Sequence, residues 1–460
     1  MTDTLKDHLE RLAADAPSLD IPADTWARGR RRHRRAVTVR ALGALALVVL
    51  LGLAPLLVAR LDTGTVQPAD PSRSLGVPDR LQGVPARLAD RSDGAWVHDI
   101  VTDDLHTGVG AAAWVTAEGL PVVVDAAAGG YHLLDLPGFQ LTSTEAASTW
   151  IGYTPYTFLA LSPDGTHLAY GYADLDGPGR SATVTTGIRI VDLPTGEVQR
   201  SIPLTGGAGV AVTDISWSSG GTWLAWSGFR TTSWTASSIG GHTPLVGIAG
   251  PGRDEQVHKR APRNSTVSVD DDGAGVVVSG RRLTLLPARN SRGSQAFVTG
   301  PTARVPRSIR WSRTGHAVDS ALLSPDGTQV AVGADGEGLL VIDVPSGRWR
   351  LVADDGPDSA QTRPLAWSGD TLVTDAWREG HHIEAVTVRR PTEPRTLVTL
   401  GPGVTPSIAT DLLGTPPHTV DRPGPHWPWS PDRWAFTIAL TILVVFAVAG
   451  AATVVTRRPR

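Results

Sequence analysis

The stretch Phe158-Leu-Ala-Leu-Ser-Pro-Asp-Gly-Thr-His-Leu-Ala-Tyr170 returns in a closely similar form as Ala321-Leu-Leu-Ser-Pro-Asp-Gly-Thr-Gln-Val-Ala-Val332. Each copy contains an apolar run, the turn Ser-Pro-Asp-Gly and a second apolar run, in that order. Proline sets φ to about −65° at the first corner, aspartate caps the turn through the backbone, and glycine accepts the positive φ that follows. The motif therefore predicts a tight hairpin between two β-strands.

Weaker copies of this hairpin occur between and around the two strong ones. Their turns are Thr116-Ala-Glu-Gly, Ser218-Ser-Gly-Gly, Asp270-Asp-Asp-Gly and Ser368-Gly-Asp. Together with the strong copies, the turns begin at positions 116, 162, 218, 270, 324 and 368, at intervals of 46, 56, 52, 54 and 44 residues. Each interval has room for one four-stranded blade of a β-propeller.

A second recurring element follows the hairpins. It has the forms Ile188-Arg-Ile-Val-Asp-Leu-Pro-Thr-Gly196 and Leu340-Val-Ile-Asp-Val-Pro-Ser-Gly347, with Leu133-Leu-Asp-Leu-Pro-Gly138 as a shorter version. Each predicts a third strand and a turn that leads to an outer strand.

These residues resemble the WD40-like propeller repeat with a Ser-Pro-Asp-Gly loop, as found in the TolB-like and periplasmic propeller families of bacteria. The resemblance covers about residues 90–412. It implies an all-β fold with six blades, or seven if residues 75–97 contribute strands, and it places the propeller domain at residues 75–412. Such rings commonly close with strands from both chain ends in one blade, so we expect residues 401–412 to supply a closing strand.

Two apolar segments without a charged side chain flank this domain, at residues 41–59 and 435–456. About 20 such residues cross the hydrocarbon core of a bilayer. The sequence therefore predicts two transmembrane helices. A cleaved secretory signal is the alternative for the first segment, but it would have an unusually long charged region before it.

Arginines decide the orientation of the predicted spans. Seven arginines precede the first span within residues 28–40, and Arg457, Arg458 and Arg460 follow the second. Positively charged flanks stay in the cytoplasm. We therefore expect a cytoplasmic stub at residues 1–40, a basic cytoplasmic tail at residues 457–460, and a propeller held outside the cell membrane.

The segment between the propeller and the second span, residues 413–433, is rich in proline. Prolines at this density favour a stiff, extended stalk. Trp427, Trp429 and Trp434 lie at its membrane end and fit an interfacial aromatic belt.

Composition excludes several classes of function. The chain has no cysteine, so disulfides, thiolate zinc sites and cysteine nucleophiles are absent. Residues 61–433 carry 29 Lys and Arg against 39 Asp and Glu, a net charge of −10. An acidic exterior domain argues against nucleic acid as a partner.

Candidate catalytic and metal-binding patterns are weak. No Gly-x-Ser-x-Gly elbow of a serine hydrolase occurs. His381 and His382 are adjacent, so on a strand they face opposite sides and do not share a metal. The runs Asp270-Asp-Asp-Gly and Asp174-Leu-Asp-Gly offer only two or three of the 6 to 8 oxygens that calcium takes, and we interpret them as solvated turns. Ser216-Trp-Ser-Ser-Gly-Gly-Thr-Trp223 approaches the Asp-box of sialidases, which is a fold element at a hairpin.

The sequence thus predicts no catalytic, cofactor-binding or metal-binding residues and no cofactor. The expected function is a non-catalytic, extracytoplasmic propeller that binds a protein or small ligand, with a possible sensing role. Leu5, Leu9 and Leu12 recur at helical spacing and predict a short amphipathic helix in the stub that contacts a cytoplasmic partner. Two alternatives stay open: an anti-sigma-like or sigma-associated membrane regulator, although the cysteine-containing zinc motif of anti-sigma factors is absent, and a propeller hydrolase or lyase.

Overall fold

The computed structural model describes most of the chain between residues 74 and 427. The described residues are 74–92, 95–96, 100–139, 159–176, 183–206, 208–234, 239–252, 256–262, 265–279, 282–286, 302–304, 320–334, 338–353, 362–377, 380–389, 393–425 and 427, with Lys6, Asp7, Glu10, Arg11, Ala14 and Leu440 outside this region. Residues 69–427 form one compact unit.

The strands of this unit pair into six blades and one small hairpin. Blade 1 contains β4 (Val101–Thr102), β5 (Gly110–Val115), β6 (Pro121–Asp125), β7 (Tyr131–Leu134) and β28 (Ser407–Ile408). Blade 2 contains β8 (Leu159–Leu161), β9 (His167–Asp176), β10 (Thr183–Asp192) and β11 (Glu197–Pro203). Blade 3 contains β12 (Val210–Trp217), β13 (Leu224–Trp234), β14 (Ile239–Ala249) and β15 (Gln256–Arg260).

The remaining blades follow the same plan. Blade 4 contains β16 (Ser265–Val269), β17 (Gly275–Ser279), β18 (Arg282–Leu286) and β19 (Thr302–Arg304). Blade 5 contains β20 (Ser320–Leu323), β21 (Gln329–Ala334), β22 (Gly338–Asp343) and β23 (Trp349–Ala353). Blade 6 contains β24 (Thr362–Ser368), β25 (Thr371–Trp377), β26 (His381–Thr387), β27 (Arg395–Leu400) and β1 (Arg80–Leu81).

Each predicted turn joins the first two strands of one blade, which confirms the repeat and the count of six. The strand that precedes each turn contacts its counterpart in the next blade, from β5 through β8, β12, β16 and β20 to β24. These strands therefore surround the propeller axis. Two 3-10 helices, Ala86–Leu88 and Thr410–Leu413, lie in the segments before blade 1 and after β28.

The ring closes with strands from both ends of the propeller unit, β1 and β28. β28 pairs antiparallel with β5, and the Leu161 amide of blade 2 donates to Ser407 Oγ at 2.9 Å. At the other edge, β1 adds in parallel to β27, the outer strand of blade 6. Residues 401–412 thus contribute a strand to blade 1, as the sequence predicts, although the two chain ends complete two different blades.

The region 75–97 does not form a seventh blade. β1 joins blade 6, while β2 (Arg91–Ser92) and β3 (Ala95–Trp96) form an isolated two-stranded hairpin. The described strands of this region contain only two residues each, too few to build a blade that packs on both faces.

Apolar clusters between neighbouring blades form the core. One cluster joins blades 1 and 6 through Trp114, Val373 and Ile383, and another joins blades 2 and 3 through Ile188, Val212 and Trp226. Each buried Val, Leu or Ile contributes about 1.5–3 kcal/mol. Because blades pack on both faces, central strands such as β22 are buried at nearly every position, which explains their continuous apolar runs.

The predicted stalk is corrected over its described part, residues 413–425 and 427, which packs on the propeller instead of extending away from it. Val420 pairs in parallel with Pro78, and its amide donates to the Val77 carbonyl at 2.9 Å. Trp427 packs edge-on against Tyr131, with ring centroids 5.4 Å apart, and contacts the core between blades 1 and 6. Trp427 therefore contributes to the propeller core and not to an aromatic belt. Trp429 and Trp434 lie outside the described residues.

The predicted membrane spans, 41–59 and 435–456, also lie outside the described residues, except for Leu440. Among the residues that are described, no helix is long and apolar enough to cross a bilayer. Lys6, Asp7, Glu10, Arg11 and Ala14 are helical and exposed, in the segment where the sequence predicts a helix. Leu5, Leu9 and Leu12 are not among the described residues.

Candidate binding surfaces

The Ser-Pro-Asp-Gly turns have the geometry that the sequence predicts. In blade 2, Ser162 Oγ donates to Asp164 Oδ1 at 2.6 Å, and the His167 amide donates to Ser162 Oγ at 2.9 Å. Gly165 has φ of +76°, and a Cβ there would lie 2.1 Å from the Gly110 carbonyl oxygen. Burial favours a higher pKa for Asp164, but hydrogen bonds from Ser162 and Thr166 outweigh it and lower this pKa. The polar side chains of the motif therefore form hydrogen bonds within the turn itself.

The carboxylate of Asp411 lies within the electrostatic reach of two turn aspartates, Asp164 and Asp271. The Asp411 amide donates to the Pro163 carbonyl at 2.9 Å, beside Asp164, and the Gly220 amide donates to Asp271 Oδ1 at 2.5 Å. Burial raises the pKa of Asp411, and the charges of Asp164 and Asp271 raise it further. We name Asp164, Asp271 and Asp411 the acidic turn cluster.

Asp270 and Asp174, one from each acidic run considered for calcium, bond to groups of the protein itself. Asp270 Oδ1 accepts the amides of Asp272 at 3.0 Å and Ala274 at 2.8 Å, so it caps its own turn. Asp174 lies within β9 and not in a turn, and its Oδ2 is 2.5 Å from Arg189 Nη2. Within the described ranges, no group of three or more His, Asp or Glu side chains is arranged to hold a metal.

Arg189 of blade 2 contacts both Asp174 and the segment that follows β7 of blade 1. Arg189 also donates from Nη1 to the Pro137 carbonyl at 2.6 Å, and its guanidinium lies 4.2 Å from the Tyr172 ring centroid. Tyr170 donates to the same carbonyl at 3.1 Å, and burial raises the pKa of Tyr170 to about 12. These polar groups of blade 2 therefore hold Pro137, which follows β7 of blade 1.

A second polar group lies in blade 6, on the face that packs toward blade 1. His381 Nε2 donates to Asp375 Oδ1 at 2.5 Å, and Arg363 Nη2 lies 3.5 Å from Asp375 Oδ2. The side chains of His381 and Asp375 are 6% and 3% exposed. Trp377 stacks on the imidazole, with ring centroids 4.0 Å apart and planes inclined by 24°. We name Arg363, Asp375, Trp377 and His381 the Trp377 cluster.

This cluster joins a rigid base to an exposed aromatic surface. Trp377 is 44% exposed, whereas the groups beneath it are buried. The carboxylate orients the imidazole, and the imidazole fixes the plane of the indole. An exposed indole held in one orientation loses little side-chain entropy when it contacts another protein. The arrangement therefore suits binding.

Sequence reasoning separated His381 from His382 correctly but missed the partner of His381. His382 lies opposite Ala376 and His381 opposite Trp377 in the β25–β26 ladder, so the two histidines face opposite sides. The missing signal was the short segment Arg378-Glu-Gly380 between two apolar runs. Read as a hairpin loop, it places Trp377 beside His381 and brings Asp375 onto the same face.

Comparisons with known proteins assign this chain to no family. No family model matches the chain, and no curated protein matches it. A solved structure described as the mitotic checkpoint complex contains a chain that aligns with 14% identity and a TM-score of 0.34, over 51% of this chain and 61% of that chain. Hydrazine synthase of Kuenenia stuttgartiensis aligns with 14% identity and a TM-score of 0.34, over 57% and 69%. This chain thus spans less than two thirds of the chain that it matches in the first of these structures. The fold assignment rests on the strand pairing above.

Proposed function

We propose that this chain is a membrane-tethered, non-catalytic β-propeller of the TolB-like kind that binds a protein partner outside the cell, with Trp377 as a binding anchor. The observation that carries the binding role is the stacking of exposed Trp377 on the buried His381–Asp375 pair. A non-catalytic role is supported by the same geometry, because the imidazole is covered by the indole and the His381 side chain is only 6% exposed.

The tether is supported by the positions of the ends of the propeller unit. Ser74, where the described propeller begins, accepts a hydrogen bond from Arg422 near its end, at 2.6 Å. The apolar segments 41–59 and 435–456 follow outward from these two ends in the sequence. Ends of the domain that lie side by side suit attachment to a membrane through both segments.

Binding is tested by photo-crosslinking in native membranes. A benzophenone side chain replaces Trp377 in the full chain and, as the matched control, Val198, which is 43% exposed on the outer strand of blade 2. We expect a discrete adduct with another protein from position 377 and none from position 198. The same adducts from both positions, or none from position 377, would refute the anchor.

Topology is tested separately with single cysteines, since the chain has none of its own. Cysteines replace the exposed residues Glu118, Gln199 and Lys6. An impermeant maleimide applied to intact cells should label positions 118 and 199 but not position 6, and permeabilised cells should show labelling at all three. Labelling of position 6 in intact cells would contradict the cytoplasmic stub.

A further inference from the structure

The outer strand of blade 5 carries apolar side chains into solvent. Trp349 and Leu351 of β23 are 41% and 40% exposed. They pair with Ile342 and Leu340 on β22 and therefore lie on the same face of the blade. Arg348 and Arg350, which are also exposed, alternate with them. The strand thus presents an apolar pair on one face and a basic pair on the other.

The backbone of β23 is also arranged for pairing. The Asp343 amide donates to the Arg348 carbonyl at 2.8 Å. Because hydrogen-bonded and non-hydrogen-bonded pairs alternate along an antiparallel ladder, Arg350 directs its amide and carbonyl toward β22. Trp349 and Leu351 then direct theirs toward the outer edge. No strand among the described residues pairs with that edge.

Two other blades show how this ring extends its outer edges. β1 adds to β27 in blade 6, with Leu81 opposite Leu400, and β4 adds to β7 in blade 1, with Val101 opposite Leu133. Both added strands come from the segment before β5, and both are parallel to the strand that they join. Addition of a parallel strand is therefore a geometry that the outer edges of these blades already accept.

Edge protection is the simpler explanation of the arginines, since charged side chains discourage pairing between sheet edges. It leaves the neighbouring Trp349 and Leu351 unexplained, because exposed large apolar residues promote such pairing. A second copy of β23 is a poor occupant as well. The exposed charges of both strands would be arginines, and like charges across a ladder are destabilising.

We propose that β23 binds an extended segment of a partner protein, in which acidic and apolar residues alternate, by parallel strand addition. The apolar side chains of the segment pack beside Trp349 and Leu351, and its carboxylates face Arg348 and Arg350. Main-chain hydrogen bonds to Trp349 and Leu351 supply affinity, and the alternating side chains supply specificity. This surface is separate from the Trp377 cluster and constitutes a second contact.

The test measures binding of a fluorescent peptide of alternating valine and glutamate to the full chain in lipid nanodiscs, by fluorescence anisotropy. We expect the double substitution W349S/L351S to weaken binding at least tenfold, a loss typical of hot-spot residues. Arg350→Glu should weaken binding of this peptide and strengthen binding of a peptide of alternating valine and lysine. Val198→Ser, on the outer strand of blade 2, is the matched control and should leave binding unchanged.

Hydrogen exchange identifies the mode of binding. The bound peptide should slow exchange of the Trp349 and Leu351 amides and leave that of Arg350 unchanged, because Arg350 already bonds to β22. Trp377→Ser should not alter peptide affinity, so failure of one surface is distinguishable from failure of the other. Equal affinity for the glutamate and lysine peptides, unchanged binding by W349S/L351S, or self-association through β23 would each overturn the proposal.

Discussion

Arg422 Nη2 lies 2.6 Å from the carbonyl oxygen of Ser74, although the two residues are 348 positions apart in the chain. The same nitrogen lies 3.1 Å from the Ala126 carbonyl oxygen. One guanidinium thus links the beginning of the propeller unit, blade 1 and the segment that leaves the unit. This contact keeps the two ends of the propeller side by side.

Replacing Arg422 by Met should destabilise the propeller by about 1–2 kcal/mol, since two hydrogen bonds to carbonyls are lost while the aliphatic part of the side chain is kept. The matched control is Arg389→Met, whose ion pair with Asp370 is exposed and contributes about 0–1 kcal/mol. Urea unfolding of a fragment of residues 74–427, followed by circular dichroism, measures both. Equal effects would show that the Ser74 contact adds nothing.

Residues 415–427, at the end of this fragment, should also contribute to its stability. A fragment of residues 74–414 lacks the pairing of Val420 with Pro78 and the packing of Trp427 on Tyr131. We expect it to be less stable than residues 74–427 by at least about 2 kcal/mol, because burial of an aromatic side chain alone contributes that much. If the two fragments have equal unfolding midpoints and slopes, residues 415–427 add no stability, as expected for the extended stalk predicted from the prolines.

Asp375→Asn should destabilise blade 6 strongly. The carboxylate lies between His381 and Arg363 and is 3% exposed. Removal of one partner of a buried ion pair lowers the free energy of unfolding by about 3 kcal/mol. Asp370→Asn, at an exposed ion pair in the same blade, should cost less than about 1 kcal/mol. Because Trp377 stacks on His381, its fluorescence should change when His381 loses the Asp375 carboxylate. An unchanged fluorescence spectrum in the Asp375 variant would show that Asp375 does not help to hold the indole in place.

The acidic turn cluster should give opposite pH responses at two of its members. Burial and the charges of Asp164 and Asp271 raise the pKa of Asp411 above its ordinary 3.8. The folded state therefore holds this proton more tightly than the unfolded chain, and the ionised form opposes folding at neutral pH. Asp411→Asn should stabilise the fold at pH 7, with a gain that disappears as the pH falls below 3.8.

Asp164 provides the contrast, because burial is outweighed there by hydrogen bonds and its pKa is lowered. Its ionised form favours folding above the ordinary carboxyl value, and this contribution is lost as the pH falls through the lowered pKa. Asp164→Asn should therefore destabilise the fold at pH 7 and less so in acid. Thermal unfolding of both variants between pH 3 and pH 7 tests the signs, and the same direction for both would contradict the assignment.

Turn chemistry and apolar periodicity determined the repeat. The residues of Ser-Pro-Asp-Gly bond to their own turn, as Ser162 does with Asp164, so each hairpin can be predicted without knowledge of distant partners. Regular spacing of those turns then predicted six blades, or seven if residues 75–97 added one, and the strand pairing decided for six. The stalk prediction failed because proline content describes the local stiffness of a segment and not the surface against which it lies, here the bridge between Val420 and Pro78.

Tertiary structure decided which blades receive the chain ends and where the binding surfaces lie. β1 joins β27 and β28 joins β5, pairings between residues hundreds of positions apart that no local propensity specifies. The Trp377 cluster and the open edge of β23 arise in the same way. Which charges are buried, and which apolar side chains remain exposed, depends on the packing of one blade against the next, because burial is a property of the assembled ring and not of any single segment.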